Sequence, residues 1–503
     1  MKKQPIAIES FYSNLAVAVW QGASEYSDIS PFDPHTAYPE YVMRTVSEHQ
    51  NPAYEGVRSC LKTLGLDLAN YGTPMWNPLR DIATPGNTVV IKPNFVASKH
   101  QAGGNIYSVI THPSVIRVLI DYLYLALEGE GRVIIADAPQ MDCNFDELLH
   151  RTQLVSIQEL YQSRYKFNVE IMDLRDFWLD VAQNDNLECS ECRHPLAGDP
   201  LGSVTVNLGK RSFFYGLKNL RKIYGADYNR QETITHHHGD KHEYIVSKTI
   251  LSADVVISVP KLKVHKKVGV TLNSKGLVGI STNKNCLVHY TMGTPEEGGD
   301  QFPSKILSHR EKMLVKVRGE LSDVLLAGQN PVLERAYASL VLFYRKCIKP
   351  WYGSVAQEKI ILDAGNWSGN DSAWRMVVDL ARIILFADAE GHLQDEPQRK
   401  VFSIVDGIIG GENNGPLTPD EKPAGVVVAG FNPLATDMVC TAMMGLDYKK
   451  LKWVEHMLLD QFYVNPDNIR ILGEPAFLSV LKVPGKYLGF IPHPGWRAHF
   501  NSH

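Results

Sequence analysis

A buried strand that runs directly into a group of lysines is the feature that most limits how this chain can fold. Residues 254–259 (DVVISV) are mostly apolar, as expected of a strand buried on both faces of a parallel sheet. Within the next 16 residues the chain places Lys261, Lys263, His265, Lys266, Lys267 and Lys275. Ligands of open α/β sheets bind beyond the carboxyl ends of strands, and ammonium groups suit phosphate or carboxylate. The sequence therefore predicts an anion site here, and a solvated basic loop is the simpler alternative.

Short apolar strands alternate with amphipathic helices through much of the chain. Strands are predicted at 88–94, 132–139, 168–174, 254–259, 401–411 and 424–430, and helices at 112–127, 145–161, 373–386 and 433–444. Strands that alternate with helices indicate parallel pairing. The predicted fold class is α/β, with layered, mostly parallel sheets, helices on both faces, and two lobes around a cleft.

The pattern also suggests how the chain is divided. Residues 1–85 lack periodicity and are rich in turn-forming residues, so we expect an irregular N-terminal extension. Residues 86–300 form an α/β domain with a long insertion at about 175–245. Residues 301–460 form a second α/β lobe, and 461–503 a C-terminal tail. One alternative stays open at the boundary near 300, because the later strands could join the first sheet.

The composition excludes several classes of protein. The chain has 503 residues, is 44% hydrophobic and 21% charged, and carries a net charge of −4. It has no global basic field for nucleic acid or an anionic membrane, so any positive patch must be local. We find neither the apolar segment of a signal peptide nor 18 consecutive apolar residues. We expect a cytoplasmic protein without membrane insertion, whose partner is a small anionic substrate. Assembly into a homo-oligomer is left open.

Carboxylates at other strand ends are candidates to complete the site. Asp137 and Asp406 end predicted strands, Asp437 opens a helix, and Glu412 lies in a glycine-rich turn. In a parallel sheet such groups share one edge with the lysines, where opposite charges shift each other's pKa values and can divide acid and base roles. A helix cap or a turn anchor is the simpler interpretation of each lone Asp.

These considerations give a specific set of site residues. The predicted catalytic residues are His265, Lys275, Lys263, Asp406 and Glu412. The predicted substrate-binding residues are Lys92, Asn94, Lys261, Lys267, Asn273 and Asn414.

A histidine-rich stretch supplies the candidate metal ligands. His236, His238, Asp240 and His242 alternate, so an extended segment would point all four to one side, and His289 from the next loop could complete the site. Imidazole suits zinc, manganese, iron or nickel. An exposed loop, or a phosphate-binding patch when protonated, is the alternative.

The only CxxC pair is a weaker metal candidate. Cys189 and Cys192 are followed closely by His194, but a zinc ribbon needs a second ligand pair at suitable spacing. An exposed loop turn explains the pair equally well.

Several short blocks resemble the domain-of-unknown-function 362 family, in that family's order. They are IKPN (91–94), THPSVIR (111–117), ADAP (136–139), residues 253–280, DGIIGGENNGP (406–416) and NPLATDMVCTAMMG (432–445). The resemblance implies more about fold than about function. Many members append a ferredoxin module with CxxCxxCxxxCP spacing, which this chain lacks, so we expect no iron–sulfur cluster.

A more remote similarity links the lysine-rich stretch to the nickel-pincer lactate racemase family. In that family a His and a following Lys contact the cofactor, and His265 and Lys275 are the matching pair here. The rest of the racemase signature is not recognisable, so a pincer cofactor is not predicted.

The sequence favours an enzyme in which a divalent metal and the lysines act on a small metabolite that bears carboxylate or phosphate. The reaction type is not fixed by the residues. Two alternatives stay open: a racemase or epimerase that uses Lys and His for proton transfer, and a non-catalytic metal- or anion-binding accessory protein of a biosynthetic cluster.

Overall fold

The computed structural model describes residues 6–180, 192–226, 230–304, 306, 308–326, 330–343, 347, 361–460, 462–483 and 485–501. The strands are β1 (Ala16–Gln21), β2 (Thr88–Pro93), β3 (Arg132–Asp137), β4 (Asn168–Asp173), β5 (Phe177–Leu179), β6 (Arg193–Pro195), β7 (Ser203–Asn207), β8 (Ile223–Tyr224), β9 (His237–His238), β10 (Lys241–Ser247), β11 (Val255–Val259), β12 (Lys261–His265), β13 (Gly269–Thr271), β14 (Tyr290–Thr291), β15 (Lys400–Glu412), β16 (Asp420–Gly430) and β17 (Arg470–Gly473).

The α-helices lie before, between and after these strands, singly or in succession. They are α1 (Ile8–Ser13), α2 (Pro52–Thr63), α3 (Pro113–Ala126), α4 (Phe145–Thr152), α5 (Leu154–Tyr165), α6 (Arg230–His236), α7 (Lys248–Leu251), α8 (Asn273–Gly276), α9 (His309–Leu326), α10 (Pro331–Phe343), α11 (Ala373–Phe386), α12 (Pro433–Met443), α13 (Lys452–Leu459) and α14 (Pro494–Asn501). Among the described residues, no helix is both long enough and apolar enough to cross a membrane.

A ten-stranded mixed sheet forms the centre of the molecule. Its strand order is β17-β1-β16-β15-β11-β2-β3-β4, and β12 and β13 extend it alongside β15. The pairs from β15 through β11, β2 and β3 to β4 are all parallel. Every residue of β11 is buried, as its apolar sequence predicts. The predicted α/β class with a mostly parallel sheet is confirmed.

Helices cover both faces of this sheet. Gly56 of α2 lies so close to Val427 of β16 that an added Cβ would come within 2.7 Å of it. On the same strand, Gly430 approaches Thr436 of α12 equally closely. Val427 and Gly430 are three residues apart along β16, so they face opposite sides of the sheet. The two helices therefore pack against opposite faces.

Strands from both predicted lobes belong to the same sheet. β15 pairs in parallel with β11, and β16 pairs antiparallel with both β15 and β1. The later strands thus join the first sheet, which is the alternative that the sequence left open. The boundary predicted at residue 300 does not separate two sheets.

The two ends of the chain also contribute to the central sheet. β1, from the segment 1–85, lies between β16 and β17, and β17 pairs with it in parallel. The predicted irregular extension is therefore regular at Ala16–Gln21, where the first four residues, AVAV, are buried in the sheet. Within the insertion at about 175–245, β7, β10 and β9 form a separate small sheet.

β12 continues the path of β11 along the same neighbouring strand. Only Pro260 separates the two, and its carbonyl accepts a hydrogen bond from the amide of Asp406 in β15 at 2.9 Å. Lys261 lies opposite Asp406 in the strand register, and its Nζ is 2.9 Å from Asp406 Oδ2. Both side chains are fully buried. This ion pair fixes β12 beside β15.

Asp406→Ala is expected to destabilise the protein by about 3–5 kcal/mol, because it leaves the ammonium group of Lys261 buried without its carboxylate. The loss would be measured as the free energy of unfolding in urea. Asp395→Ala is the control, since the side chain of Asp395 is 93% exposed and its ion pair with Arg211 is worth little. Equal stability of the two variants would contradict the assigned role of the pair.

Candidate functional site

A cleft with a volume of about 460 Å³ lies beyond the carboxyl ends of β2, β3 and β12. We call it the lysine cleft. Its polar lining includes Asn94, Asp137, Gln140, Lys263, His265, Lys266, Lys267, Thr271, Lys275, Lys284, His289 and Asn366. The structure thus brings together six of the predicted site residues: Lys263, His265, Lys267, Lys275, Asn94 and His289.

Helix α8 positions Lys275 in the cleft. Asp437 of α12 accepts four hydrogen bonds from the start of α8: the amide and side chain of Asn273 and the amide and hydroxyl of Ser274. These satisfy backbone groups that a helix leaves unpaired at its first turn. Asn273, predicted to bind substrate, is therefore an anchor for α8 and does not line the cleft. Asp437 takes the helix-capping role that was its simpler interpretation.

The carboxylate that lines the cleft is already neutralised. Asp137 Oδ1 is 3.0 Å from Lys92 Nζ, and Oδ2 accepts the amide of Phe95 at 2.7 Å. Gly279 lies against this pair, and a Cβ on Gly279 would come within 1.8 Å of Asp137 Oδ1. Lys92, predicted to bind substrate, therefore serves as the partner of Asp137 next to the cleft.

Lys267, Lys275 and Lys284 are buried in the cleft, and among the described residues none of them forms an ion pair with a carboxylate, although Asp300 and Asp363 attract Lys267. Burial, together with neighbouring lysines, lowers the pKa of Lys267 to about 7 and that of Lys275 to about 8. Burial also lowers the pKa of Lys284 to about 7, against the opposing attraction of Asp137. In the part of the chain that the structure describes, Lys275 Nζ has no hydrogen-bond or ion-pair partner. The cleft therefore has a deficit of negative charge that a bound anion would correct.

Backbone carbonyls hold two of the other ammonium groups. Lys263 Nζ donates to the carbonyls of Val109 at 2.6 Å and Pro416 at 3.0 Å. Lys284 Nζ donates to the carbonyl of Val278 at 2.6 Å. Neutral carbonyls orient these groups without cancelling their charge.

Two histidines in the cleft have opposite tautomers. His265 Nδ1 accepts the amide of Lys267 at 3.0 Å, so its neutral ring carries the proton on Nε2. His289 Nδ1 is 3.0 Å from the carbonyl of Leu287 and must donate to it, so Nε2 keeps its lone pair. Burial lowers the pKa of His289 to about 3 and that of His265 well below its usual range, with nearby lysines adding to the effect. One ring therefore presents a donor and the other an acceptor.

Three predicted catalytic or substrate-binding residues lie outside the cleft, because their side chains pair with other parts of the protein. Lys261 and Asp406 form the buried ion pair between β12 and β15. Glu412 accepts the amide of Ile491 at 2.9 Å and lies 3.3 Å from Lys422. Asp406 and Glu412 therefore do not line the lysine cleft with His265 and Lys275, although Asp406 pairs with Lys261 of the same cluster.

Asn414, the remaining predicted substrate-binding residue, is exposed in the connection between β15 and β16. Only its neighbours Pro416 and Leu417 reach the lining of the cleft.

The histidine-rich stretch does not form the predicted extended segment. α6 ends at His236, and β9 and β10 form a tight hairpin around Gly239 and Asp240. The hairpin turns the chain back, so His242 is buried whereas His238 and Asp240 are exposed. His236 contacts Glu243 at 3.1 Å. A glycine with φ of +56° makes this turn possible.

His289 lies in the lysine cleft and not with these residues. Among the described residues, no group of three His, Cys, Asp or Glu side chains could hold a metal ion. Cys189 of the CxxC pair lies outside the described residues, and Cys192 is buried. The predicted divalent metal and its identity stay predictions.

Sequence reasoning did not select Lys284 or Gln140 for the site. Lys284 follows Lys275 by nine residues, in the polar segment STNKN. Its position after Gly279 and its basic side chain were a usable signal. Gln140 had no comparable signal, because the fold alone brings it to the cleft.

The free energy of unfolding is expected to rise between pH 7 and 9 in anion-free buffer. The folded lysines with pKa values of about 7 to 8 lose their protons in this range, while unfolded lysine stays protonated up to about pH 10. The gain is on the order of 1 kcal/mol per pH unit for each such lysine. Inorganic phosphate should raise the Tm more at pH 6.5 than at pH 9.

Calorimetric melting over this pH range checks the expectation. Lys275→Met should flatten the rise, whereas the surface variant Lys248→Met should not, since Lys248 pairs with Glu390 outside the cleft. If phosphate raised the Tm equally at pH 6.5 and at pH 9, the result would contradict the assignment of positive charge to the cleft.

Comparison with known proteins gives a family but no activity. No curated protein matches the chain. A crystal structure of a protein from Thermotoga maritima matches with 10% sequence identity and a TM-score of 0.28, over 72% of this chain and 55% of that chain. The chain thus spans about half the length of that protein, and a similarity this low supports no inference. The model of the family described as Domain of unknown function (DUF362) matches residues 197–442, which confirms over these residues the resemblance that the sequence blocks indicate.

Proposed function

We propose that this chain is an enzyme that binds a small anionic metabolite in the lysine cleft and moves a proton on it. The observation that carries the proposal is the set of five lysines in one cleft whose lining carboxylate, Asp137, is already paired with Lys92. A substrate that bears carboxylate or phosphate supplies the missing negative charge.

The size of the cleft favours a small molecule. Its volume of about 460 Å³ falls within the range of roughly 300–1,000 Å³ that is usual for small-molecule sites. Apolar side chains such as Val96, Met141 and Leu287 also line it. A short carbon skeleton with one or two anionic groups suits this combination.

Binding of the anion is coupled to protonation of the lysines. An anion near Lys267, Lys275 or Lys284 favours the charged ammonium form and raises a pKa that burial has lowered. At neutral pH part of these groups is therefore unprotonated in the empty cleft and takes up protons when the ligand binds. Ammonium groups placed in this way also stabilise negative charge that develops during a reaction.

His289 and Lys275 supply the groups for proton transfer. Nε2 of His289 holds a lone pair and can take a proton from a C–H bond next to a carboxylate. The electron pair of that bond stays on the substrate as an enolate, which the other lysines and the Nε2–H of neutral His265 stabilise. The ammonium group of Lys275 can then return a proton to the carbon and recover one from His289 through solvent. The balanced result is proton exchange, racemisation or epimerisation.

A divalent metal remains a second possibility within this proposal. The residue that favours it is His289, because a neutral imidazole lone pair in a cleft that binds oxyanions is a suitable metal ligand. Metal analysis of protein purified without a histidine tag, with and without a bound anion, tests it. Stoichiometric metal that is lost in His289→Ala would support the metal-dependent form.

Lys275→Ala should weaken the binding of inorganic phosphate at least tenfold at pH 7, because it removes an ammonium group without a protein partner. Isothermal titration calorimetry measures the Kd. Lys248→Ala is the matched control, since it removes one surface lysine and the same net charge. Unchanged binding in Lys275→Ala would exclude this residue from the site.

His289→Gln should lower solvent-deuterium exchange into a bound hydroxy or sugar acid by at least 100-fold, with little change in affinity. Nuclear magnetic resonance follows the exchange in D₂O for each acid that binds. His392→Gln is the control, because the side chain of His392 is 78% exposed. Tight binding of several acids with no exchange in the unmodified protein would indicate a binding protein instead of an enzyme.

A further inference from the structure

Helix α9 carries an exposed apolar stripe. Met313, Val317, Leu321 and Val324 follow one another at intervals of four, four and three residues, so they lie on one face of the helix. All four are exposed, and Val324 is 73% exposed. A stripe of this kind normally packs against another surface.

The next helix presents a similar stripe. Val332, Leu333, Leu340 and Phe343 of α10 fall within one face of that helix and are also exposed, with Val332 at 72%. α9 and α10 contact each other. The two helices therefore form a hairpin that exposes eight apolar side chains, more than the isolated exposed side chains common on soluble proteins.

The opposite face of α9 holds the hairpin against the rest of the protein. Asp323 forms an ion pair with Arg230. Gly319 lies so close to Met292 that an added Cβ would come within 2.5 Å of its sulfur atom. Gly319 is four positions before Asp323 and on the side of the helix away from Val317. The apolar stripe thus faces outward.

The charge of this segment is opposite to that of the whole chain. The two helices, residues 309–343, contain five Lys and Arg against four Asp and Glu, and with the flanking residues the segment 304–350 contains nine against four, whereas the whole chain carries −4. Lys316 lies exposed beside Val317 on α9. Basic residues next to an apolar helical stripe are the combination by which helices lie on anionic lipid surfaces.

We propose that the α9–α10 hairpin docks the protein on the surface of an anionic lipid bilayer. The apolar stripes enter the boundary between head groups and acyl chains, and the lysines and arginines contact the anionic head groups. The helices lie on the membrane and do not cross it. A second copy of the chain is the less favoured occupant, because it would bring two basic segments face to face.

Sedimentation with lipid vesicles tests the proposal on the full chain. Vesicles of phosphatidylcholine with 30% phosphatidylserine should bind at least tenfold more protein than vesicles of phosphatidylcholine alone. Binding to the anionic vesicles should fall at least threefold between 0.1 and 0.5 M NaCl, since salt screens the electrostatic part. Equal binding to both vesicle types, or none to either, would overturn the proposal.

The variant Val317→Glu/Val324→Glu places charge in the stripe and should reduce vesicle binding at least tenfold. Leu459→Glu/Met75→Glu is the matched control, because both residues are at least 72% exposed but lie outside the hairpin. Thermal melting shows whether each variant is folded. Unchanged binding in the first variant would overturn the proposal, and so would a concentration-dependent dimer, measured by sedimentation, that this variant abolishes.

Discussion

The ion pair between Lys261 and Asp406 is the contact on which the position of the lysine cleft depends. It lies at the point where the chain leaves β11 and continues as β12 along the same neighbour, β15. Because both charges are fully buried, neither group can leave without exposing the other to an apolar interior. This fixes the start of β12 beside β15, and the strand then carries Lys263 and His265 towards the cleft after a shift in register between Lys261 and Lys263. The first lysine of the cluster holds the strand so that the later ones can face a ligand.

Anion binding in the cleft requires charged lysines, whereas burial in the fold disfavours charge on the same residues. A protein interior usually excludes unpaired charge, yet Lys267, Lys275 and Lys284 are buried in one cleft. Their lowered pKa values show how the conflict is resolved, since a neutral amine costs less to bury than an ammonium group. The energetic cost of an empty, charged cleft is therefore reduced near neutral pH. This is the pattern of a site that is stabilised by its ligand.

Much of the fold followed from the sequence because its strongest signals are local. The apolar run of β11 and the start of α3, where His112 accepts the amide of Ser114 ahead of Pro113, needed no knowledge of distant residues. The clustering of lysines with His265 could also be predicted, because one short stretch of sequence supplies most of these residues. The role of Asp406 and the partner of Asp437 could not be predicted, since these contacts are set by long-range strand register and helix packing. The histidine stretch was misread because alternation was taken for an extended strand, while Gly239 turns the chain.

The tautomers of His265 and His289 have a consequence for how the site changes over evolution. Both rings are oriented by main-chain groups, an amide in one case and a carbonyl in the other. Substitution of a neighbouring side chain cannot remove such a partner, whereas a histidine oriented by a carboxylate loses its orientation with one mutation. Residues around the cleft are therefore free to vary and to admit different anions while the donor and the acceptor persist. Under the proposed function, the substrate can therefore change while the orientation of the two rings stays the same.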